Sequence, residues 1–438
     1  TMKYQKFIIE DYRGIIKPIE ININNHLFCI IGENECGKST ILHGICAFDY
    51  TNDSTAQGWH IKDASNAYTL YNISKITAII DIKNTKEKIQ QIITKHNPNN
   101  DKLIKFNSLT ITRLLNGNSY YIIKELEQET KEIQNKIARD IIENLPCIIY
   151  FDDFLEPLPE QINLSDANNT WTKVFKLIID NKHKGRIKFE ELLDTNTKQN
   201  TIDALCADIA LSLNNAITTE WKEMRLDKKD FNAEIQVRFN RTTYLLRFVL
   251  VEKTKNNEYR YFDLKQRSKG FCWFFNFVMR SEFHPKSKFG SKKGAIFLFD
   301  EPGAYLHISM QRKLCQKLKL LSEDNIVIYC THAPDLIELD NIHKTFICYR
   351  NQQDNNNILL TMANDFYETK VLNEKQKQMI LEPLLHKSII HDIYNLEKQK
   401  KPSKIIDILK KNGNFVYQEG KDLVTTIAAK TINEASKN

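Results

Sequence analysis

Short apolar runs alternate with turns through the first forty residues. Phe7-Ile8-Ile9, Ile19-Glu20-Ile21-Asn22-Ile23 and Leu27 to Ile31 read as strands. The third is apolar throughout, the mark of a strand buried on both faces. It runs straight into GENECGKST, after which Ile41, Leu42, Ile45 and Cys46 keep helical spacing, so the pattern predicts strand, glycine loop, helix. Lys75 to Lys83 (KITAIIDIK) predicts a further strand, and Leu109 to Ile123 predicts two strands about a turn at Asn116-Gly117. Glu125 to Leu145 has the pattern of a charged amphipathic helix ended by Pro146. Cys147 to Phe151 returns to a strand, ahead of an acidic, proline-containing loop over 152–159.

The stretch from Asn168 to about Met224 reads as helical. Ile202, Leu205, Cys206, Ile209, Leu213, Ile217, Trp221 and Met224 recur at close to 3.6 residues. Three strands follow, over Glu234 to Arg238, Tyr244 to Val251 and Tyr259 to Asp263. Then come a helix from Gly270 to Arg280, a buried strand from Ala295 to Phe299, a helix around Met310 to Leu321 and a strand from Ile326 to Cys330. From Asn351 onward the chain is polar and reads as mostly helical, with a basic run, KQKKPSK, over 398–404. The expected organisation is an N-terminal lobe (1–164), a helical insertion (165–230), a second lobe (231–350) and a helical C-terminal extension (351–438). Strands and helices intermixed in this way predict an α/β fold.

Composition narrows the classes. Among 438 residues, 42% are hydrophobic and 27% charged, as in ordinary globular chains. Mean hydropathy is -0.45, and the densest apolar run, GFCWFFNFVM over 270–279, is about half the ~20 residues a membrane helix needs, so no membrane role is expected. Early acidic residues and the lack of a small-residue cleavage site do not read as a signal peptide. The nine cysteines include no CxxC pair, and Cys29, Cys147, Cys330 and Cys348 sit in apolar strings. A disulfide scaffold and a zinc site are not expected; a reducing cytoplasm is. The net charge of +7 is spread along the chain, which permits DNA binding without requiring it.

Gly32 to Ser39 matches GxxxxGK[ST], between an apolar strand and a helix. Glycines let consecutive backbone N–H groups turn inward as an anion nest, and the helix N-terminus adds partial positive charge. Lys38 is then placed for the β- and γ-phosphates and the Ser39 hydroxyl for Mg²⁺. The matching second half is a strand ending in acids. Ala295 to Phe299 followed by Asp300 and Glu301 fits, with Asp300 holding Mg²⁺ through water and Glu301 acting as general base on the attacking water. His332, just past the strand 326–330, stands where a side chain senses the γ-phosphate. Between these, Gln266-Arg267-Ser268-Lys269-Gly270 opens an apolar helix. It reads either as a phosphate-seeking helix start or as a plain N-cap at Ser268.

Taken in order, GENECGKST, RSKG, LFDEPGAYLH and THAP resemble the Walker A, signature, Walker B with D-loop, and switch-histidine motifs of ABC-type ATPases. The nearest likeness is to the ABC-type AAA ATPases of the OLD nuclease, Gabija and RecF-like group, whose start and signature helix resemble Tyr12-Arg13-Gly14-Ile15 and Phe271-Cys272-Trp273-Phe274. The resemblance covers residues 3–50 and 230–350. It implies an ABC-type ATPase head and ATP and Mg²⁺ as cofactors. It also implies nucleotide contacts from Arg13, Gly32, Asn34, Gly37, Lys38, Ser39 and Thr40. Ser268 and Gly270 would reach the γ-phosphate bound to a second subunit, in a homo-oligomer of two or more copies; Lys269 departs from the glycine usual there. The 262-residue step from Lys38 to Asp300 offers only the helices 125–145 and 168–224, a compact insertion rather than a long coiled-coil arm.

Nucleases of this group end in a Toprim domain with a metal-binding Glu and a later Asp-x-Asp. After His332 there is no Asp-x-Asp, and although FVYQEGKD over 415–422 resembles a Toprim opening, only 16 residues follow Asp422. Adjacent Asp152 and Asp153 point apart and make poor metal partners. Nuclease chemistry within the chain is not expected. The resemblance implies a bacterial anti-phage ATPase serving as sensor or motor for a separate effector protein. The alternatives are a RecF-like protein with ATP-gated DNA binding and an ATP-sensing scaffold of negligible turnover.

Overall fold

The computed structural model describes residues 2–53, 72–98, 104–115, 118–151, 161–167, 188–224, 233–254, 256–283, 294–337 and 345–363, with scattered positions over 169–179 and 365–380. The predicted turn at Asn116-Gly117, the loop 152–159 with Asp152 and Asp153, the basic run 398–404 and Glu419 lie outside these residues. The chain forms two compact units, residues 1–28 with 39–330, and residues 29–38 with 331–438.

In the first unit, β1 (Lys3–Glu10), β2 (Ile19–Asn22), β4 (Lys75–Asp81), β5 (Ser108–Leu114) and β6 (Tyr120–Ile123) form an antiparallel sheet in the order β2-β1-β4-β5-β6. The period-2 pattern sets its register. Phe7 pairs with Ala78, Ala78 with Ile111 and Ile111 with Ile123, all on one buried face. Phe7 and Tyr4 meet the ring of Phe48 on that face, at the end of α1 (Lys38–Phe48).

Arg113 shares the inward phase of β5 and is fully buried. Its guanidinium donates to Ala47 O at 2.7 Å and to both carboxylate oxygens of Asp53, so a charge placed on an apolar face anchors the C-terminal end of α1.

The predicted helix over 125–145 is shorter in the structure. A 3-10 turn at Lys124–Leu126 precedes α3 (Lys131–Ile142), which Thr130 caps by accepting from Ile133 N; α2 is Lys86–His96. Gln134 and Asn135 of α3 accept the N–H groups of Ile123 and Tyr121, supplying partners to a strand at the sheet's end.

A second antiparallel sheet centres on β10 (Leu245–Lys253). β9 (Ala233–Asn240) pairs with β10 over its length; β8 (Gln161–Asn163) and β11 (Tyr259–Asp263) pair with shorter parts of it. Helices α4 (Glu190–Leu193), α5 (Gln199–Leu213) and α6 (Thr219–Met224) occupy the predicted insertion, and a π-turn at Asn214–Thr218 joins the last two. All eight residues of the 3.6-residue pattern, Ile202 to Met224, are buried. The π-turn frees Asn214 to bond both N and O of Ile235 in β9. Trp221 packs its ring 5.2 Å from Phe271 and 5.3 Å from Phe274 of α7 (Lys269–Phe283).

The buried parallel strands are β7 (Ile148–Phe151), β12 (Ile296–Asp300) and β13 (Ile326–Cys330), with β12 in the middle. α8 (Ile308–Asp324) connects β12 to β13.

In the second unit, β14 (Thr345–Asn351) runs parallel to β3 (Leu27–Ile31) and antiparallel to β15 (Asn357–Met362). Over 351–362 this corrects the expectation of helix; most of the predicted helical extension (351–438) beyond it lies outside the described residues. Asn355 and Asn356 adopt φ of +50° and +56°, conformations asparagine tolerates in tight turns, and Asn357-Ile-Leu-Leu-Thr-Met folds back as a strand. The fold is mixed α/β, with parallel and antiparallel strands. No helix among the described residues is long and apolar enough to cross a membrane.

Candidate nucleotide site

The phosphate loop begins where β3 leaves its sheet at Gly32. A Cβ there would lie 2.2 Å from the Cys348 carbonyl oxygen and 2.7 Å from Cys36 Sγ. Gly37 has φ +114°, and a Cβ on it would meet Ile358 Cδ1 at 2.4 Å. Strands β14 and β15 therefore press on the loop from its two ends, which is why both positions are glycine. Arg350 of β14 donates from Nε to Glu35 O at 2.8 Å, holding Glu35 at φ +62°. Lys38 is buried, and its ammonium donates to Gly32 O and Glu33 O, both at 3.0 Å, spanning the loop from within. Cys348 donates from Sγ to Cys36 O at 3.6 Å. Hydrogen bonding with Cys348, helped by the charges of Lys38 and Arg350, draws the Cys36 thiol below its usual range against the opposing effect of burial.

Ser39 and Thr40 open α1 and are half-buried; Asn34 at the loop's tip is exposed. One turn further, His43 lies on the same face as Ser39. Arg13 reaches it from the tight turn Tyr12–Ile15, closed by two backbone bonds at 2.9 and 3.1 Å. Arg13 sits at φ +51° with Nη1 2.7 Å from His43 Nδ1.

Asp300 ends β12 half-exposed, and its Oδ2 accepts from Tyr150 Oη at 3.1 Å. Glu301 turns the chain out of the sheet at φ +47°, its N–H donating to Cys330 O at 3.0 Å. A non-glycine residue held in this region stores strain, typical of residues whose direction matters more than their comfort. Thr331 donates its N–H to Ile30 O at 3.0 Å, and His332 beside it is exposed.

Ser268 is the N-cap of α7, its Oγ accepting from Phe271 N at 3.3 Å. Gly270 is buried, and a Cβ there would stand 3.1 Å from Tyr305 O and 3.2 Å from Leu306 Cδ2. The signature glycine thus has a packing reason of its own, the close passage of the loop that follows Glu301. Lys269, the departure from the usual glycine, lays its ammonium 5.6 Å from the ring centroid of Tyr305.

The residues present fit a magnesium nucleotide. Within the second unit the loop is a cradle that a Cβ at either glycine would fill, and within the first Ser39 and Asp300 supply a hydroxyl and a carboxylate, oxygen donors of the kind Mg²⁺ takes when phosphates and water complete its shell. Arg13 and Asp300 are linked through His43 and Tyr150, two residues sequence reasoning passed over. Their signal was present: a polar side chain inside each of two apolar patterns, ILHGIC and CIIYF. Cys348 and Arg350 were missed as loop supports because only the parallel pairing of β14 with β3 brings them there.

Among curated proteins, the chain is similar to the uncharacterized protein MJECL43 of Methanocaldococcus jannaschii, 25% identical over 139 residues. That match covers 32% of this chain and 36% of the relative, so it spans about a third of the relative's length. Among solved structures it is similar to an Smc head bound to the C-winged helix domain of ScpA, at 15% identity and a TM-score of 0.46 over 83% of this chain and 99% of that one. It is also similar to the Smc head domain with a coiled coil and joint from Pyrococcus yayanosii, at 11% identity and a TM-score of 0.45 over 87% and 99%. The model of the AAA ATPase domain matches residues 2–337, a span that holds the phosphate loop, Asp300, Glu301 and His332, and the chain belongs to that ATPase family.

Proposed function

We propose that the chain is an ABC-type ATPase of the OLD, Gabija and RecF-like group, which binds and hydrolyses ATP with Mg²⁺. The observation that carries this reading is the phosphate loop, pinned at Gly32 and Gly37 and spanned by the Lys38 ammonium. In this reading Lys38 exchanges the loop carbonyls for β- and γ-phosphate oxygens, and the loop N–H groups at the start of α1 bind the phosphates. Mg²⁺, when bound, neutralises charge building on the β- and γ-oxygens. Ser39 and Asp300 would hold it. Glu301 takes the proton of the attacking water, and His332 orients that water against the γ-phosphate. Ser268 and Gly270 of one copy complete the site of another, giving a dimer or larger homo-oligomer. The ATP-driven assembly serves a separate effector protein in bacterial defence.

The test is ATP turnover by the purified chain, wild type beside Glu301→Gln, with oligomeric state followed and DNA added or withheld. Glu301→Gln is expected to lower turnover at least 10²-fold, the usual scale of a general base, and to accumulate an ATP-stabilised oligomer. Stimulation by DNA would favour the RecF-like alternative. Tight ATP binding without turnover in the wild type would overturn the motor and leave a nucleotide-sensing scaffold.

A further inference from the structure

A directed hydrogen-bond chain runs through the first unit. Arg13 Nη1 lies 2.7 Å from His43 Nδ1, His43 Nε2 lies 2.7 Å from Tyr150 Oη, and Tyr150 Oη donates to Asp300 Oδ2 at 3.1 Å. The chemistry of the end groups orders the links between them. A guanidinium only donates, so Nδ1 accepts and His43 is the neutral tautomer with its proton on Nε2. That proton goes to Tyr150 Oη, and the tyrosine proton goes to the carboxylate. Every donor therefore points from Arg13 toward Asp300. Both middle residues are enclosed, Tyr150 fully buried and His43 6% exposed, with their rings in edge-to-face contact at 4.9 Å. Bonds so shielded from water are strong and mutually polarising.

We propose that His43 and Tyr150 are positioning residues, which hold the Asp300 carboxylate in the orientation that receives a hydrated Mg²⁺ and tie that orientation to the Arg13 turn. This rests on the reading of Asp300 as the magnesium carboxylate. Tyr150 fixes the carboxylate through Oδ2, and His43 keeps the tyrosine proton directed at the acid. Because His43 lies one helical turn beyond Ser39, the same face of α1 carries both the hydroxyl offered to the metal and the support of the carboxylate. Outer partners of this kind typically govern metal affinity by 10–100-fold.

The test is binding of Mn²⁺, a spectroscopic substitute for Mg²⁺, to the full chain with a non-hydrolysable ATP analogue, read by electron paramagnetic resonance beside nucleotide affinity in EDTA. Tyr150→Phe keeps the ring and removes the hydroxyl's bonds to His43 and Asp300; it should weaken Mn²⁺ binding about tenfold or more while metal-free nucleotide affinity stays unchanged. His43→Leu should do the same, and His43→Gln, which retains an acceptor and a donor, should recover most of the loss. Asp300→Asn separates the two readings. If it weakens Mn²⁺ binding and Tyr150→Phe and His43→Leu do not, the positioning proposal is overturned and the magnesium assignment stands. If Asp300→Asn has no effect, the magnesium assignment itself falls, and the proposal with it. Should Tyr150→Phe fail to fold, His43→Leu against His43→Gln decides: equal losses in both would mark a packing role and overturn the proposal.

Discussion

Close approach of backbone and side chains, more than charge, shapes the loop that would take the nucleotide. Gly37 joins a positive φ to a Cβ position 2.4 Å from Ile358. Gly37→Ala is therefore expected to destabilise the chain by about 1–3 kcal/mol, the range for a residue forced into a disfavoured backbone region, and to abolish nucleotide binding. Urea unfolding and titration with a fluorescent ATP analogue check the two parts, and unchanged affinity would mean that the loop tolerates a shifted β15. Arg113 illustrates the converse case. Its charge is admitted to a buried face because the Ala47 carbonyl near the end of the loop helix and Asp53, just past the 3-10 turn that follows it, meet it there. The motif residues Lys38, Ser39, Asp300 and Glu301 were legible from spacing alone. The residues bonded around them were not, His43 and Tyr150 toward Asp300 and Cys348 and Arg350 toward the loop carbonyls of Cys36 and Glu35, since hydrogen bonds between residues more than a hundred positions apart leave no local pattern.

Elements followed the hydrophobic period wherever it was long. The insertion helix kept its face from Ile202 to Met224 even through a π-turn, because each apolar residue still found the core. Short polar stretches were misread, as in the strand at Asn357–Met362 placed where helix was expected, since two asparagines at positive φ make a hairpin that composition alone does not reveal. Between α2 and α3 the joint is electrostatic. Lys95 at 2.7 Å and His96 at 2.9 Å both hold Asp140. The hydrogen bond from Lys95 keeps the Asp140 carboxyl below its usual range, partial burial opposing and His96 adding to the effect. A carboxyl with a lowered folded pKa contributes stability above the unfolded value, near 3.9, and loses it as pH falls through the folded value. Asp140→Asn should thus cost about 0.5–1 kcal/mol at pH 7, discounted for solvent screening, and clearly less near pH 2. Denaturant midpoints at the two pH values decide it; an equal cost at both would show that the pair contributes through packing instead.

For the whole molecule, the measurable consequence of the ATPase assignment is linkage between ligand and folding. Mg·ATP at about a hundred times its Kd should add about 2.7 kcal/mol to the stability of the folded chain, seen as a rise in Tm. Lys38→Ala should remove that rise while leaving the nucleotide-free Tm within a few degrees. A ligand-induced rise that survives in Lys38→Ala would place nucleotide binding elsewhere. The sequence by itself determined the motifs: a phosphate loop, a strand ending in two acids and a histidine after the next strand, each encoded by a local run whose spacing survives in any arrangement of the rest. It also determined most strands and the amphipathic insertion, because period and burial are properties of contiguous residues. Only the tertiary structure decided that β14 and β15 brace the loop, that Gly270 is closely packed against Tyr305 and Leu306, and that Arg13, His43, Tyr150 and Asp300 form one directed chain. Those relations join residues from distant parts of the chain, and pairing of strands and close packing of side chains, not spacing along the chain, bring them together.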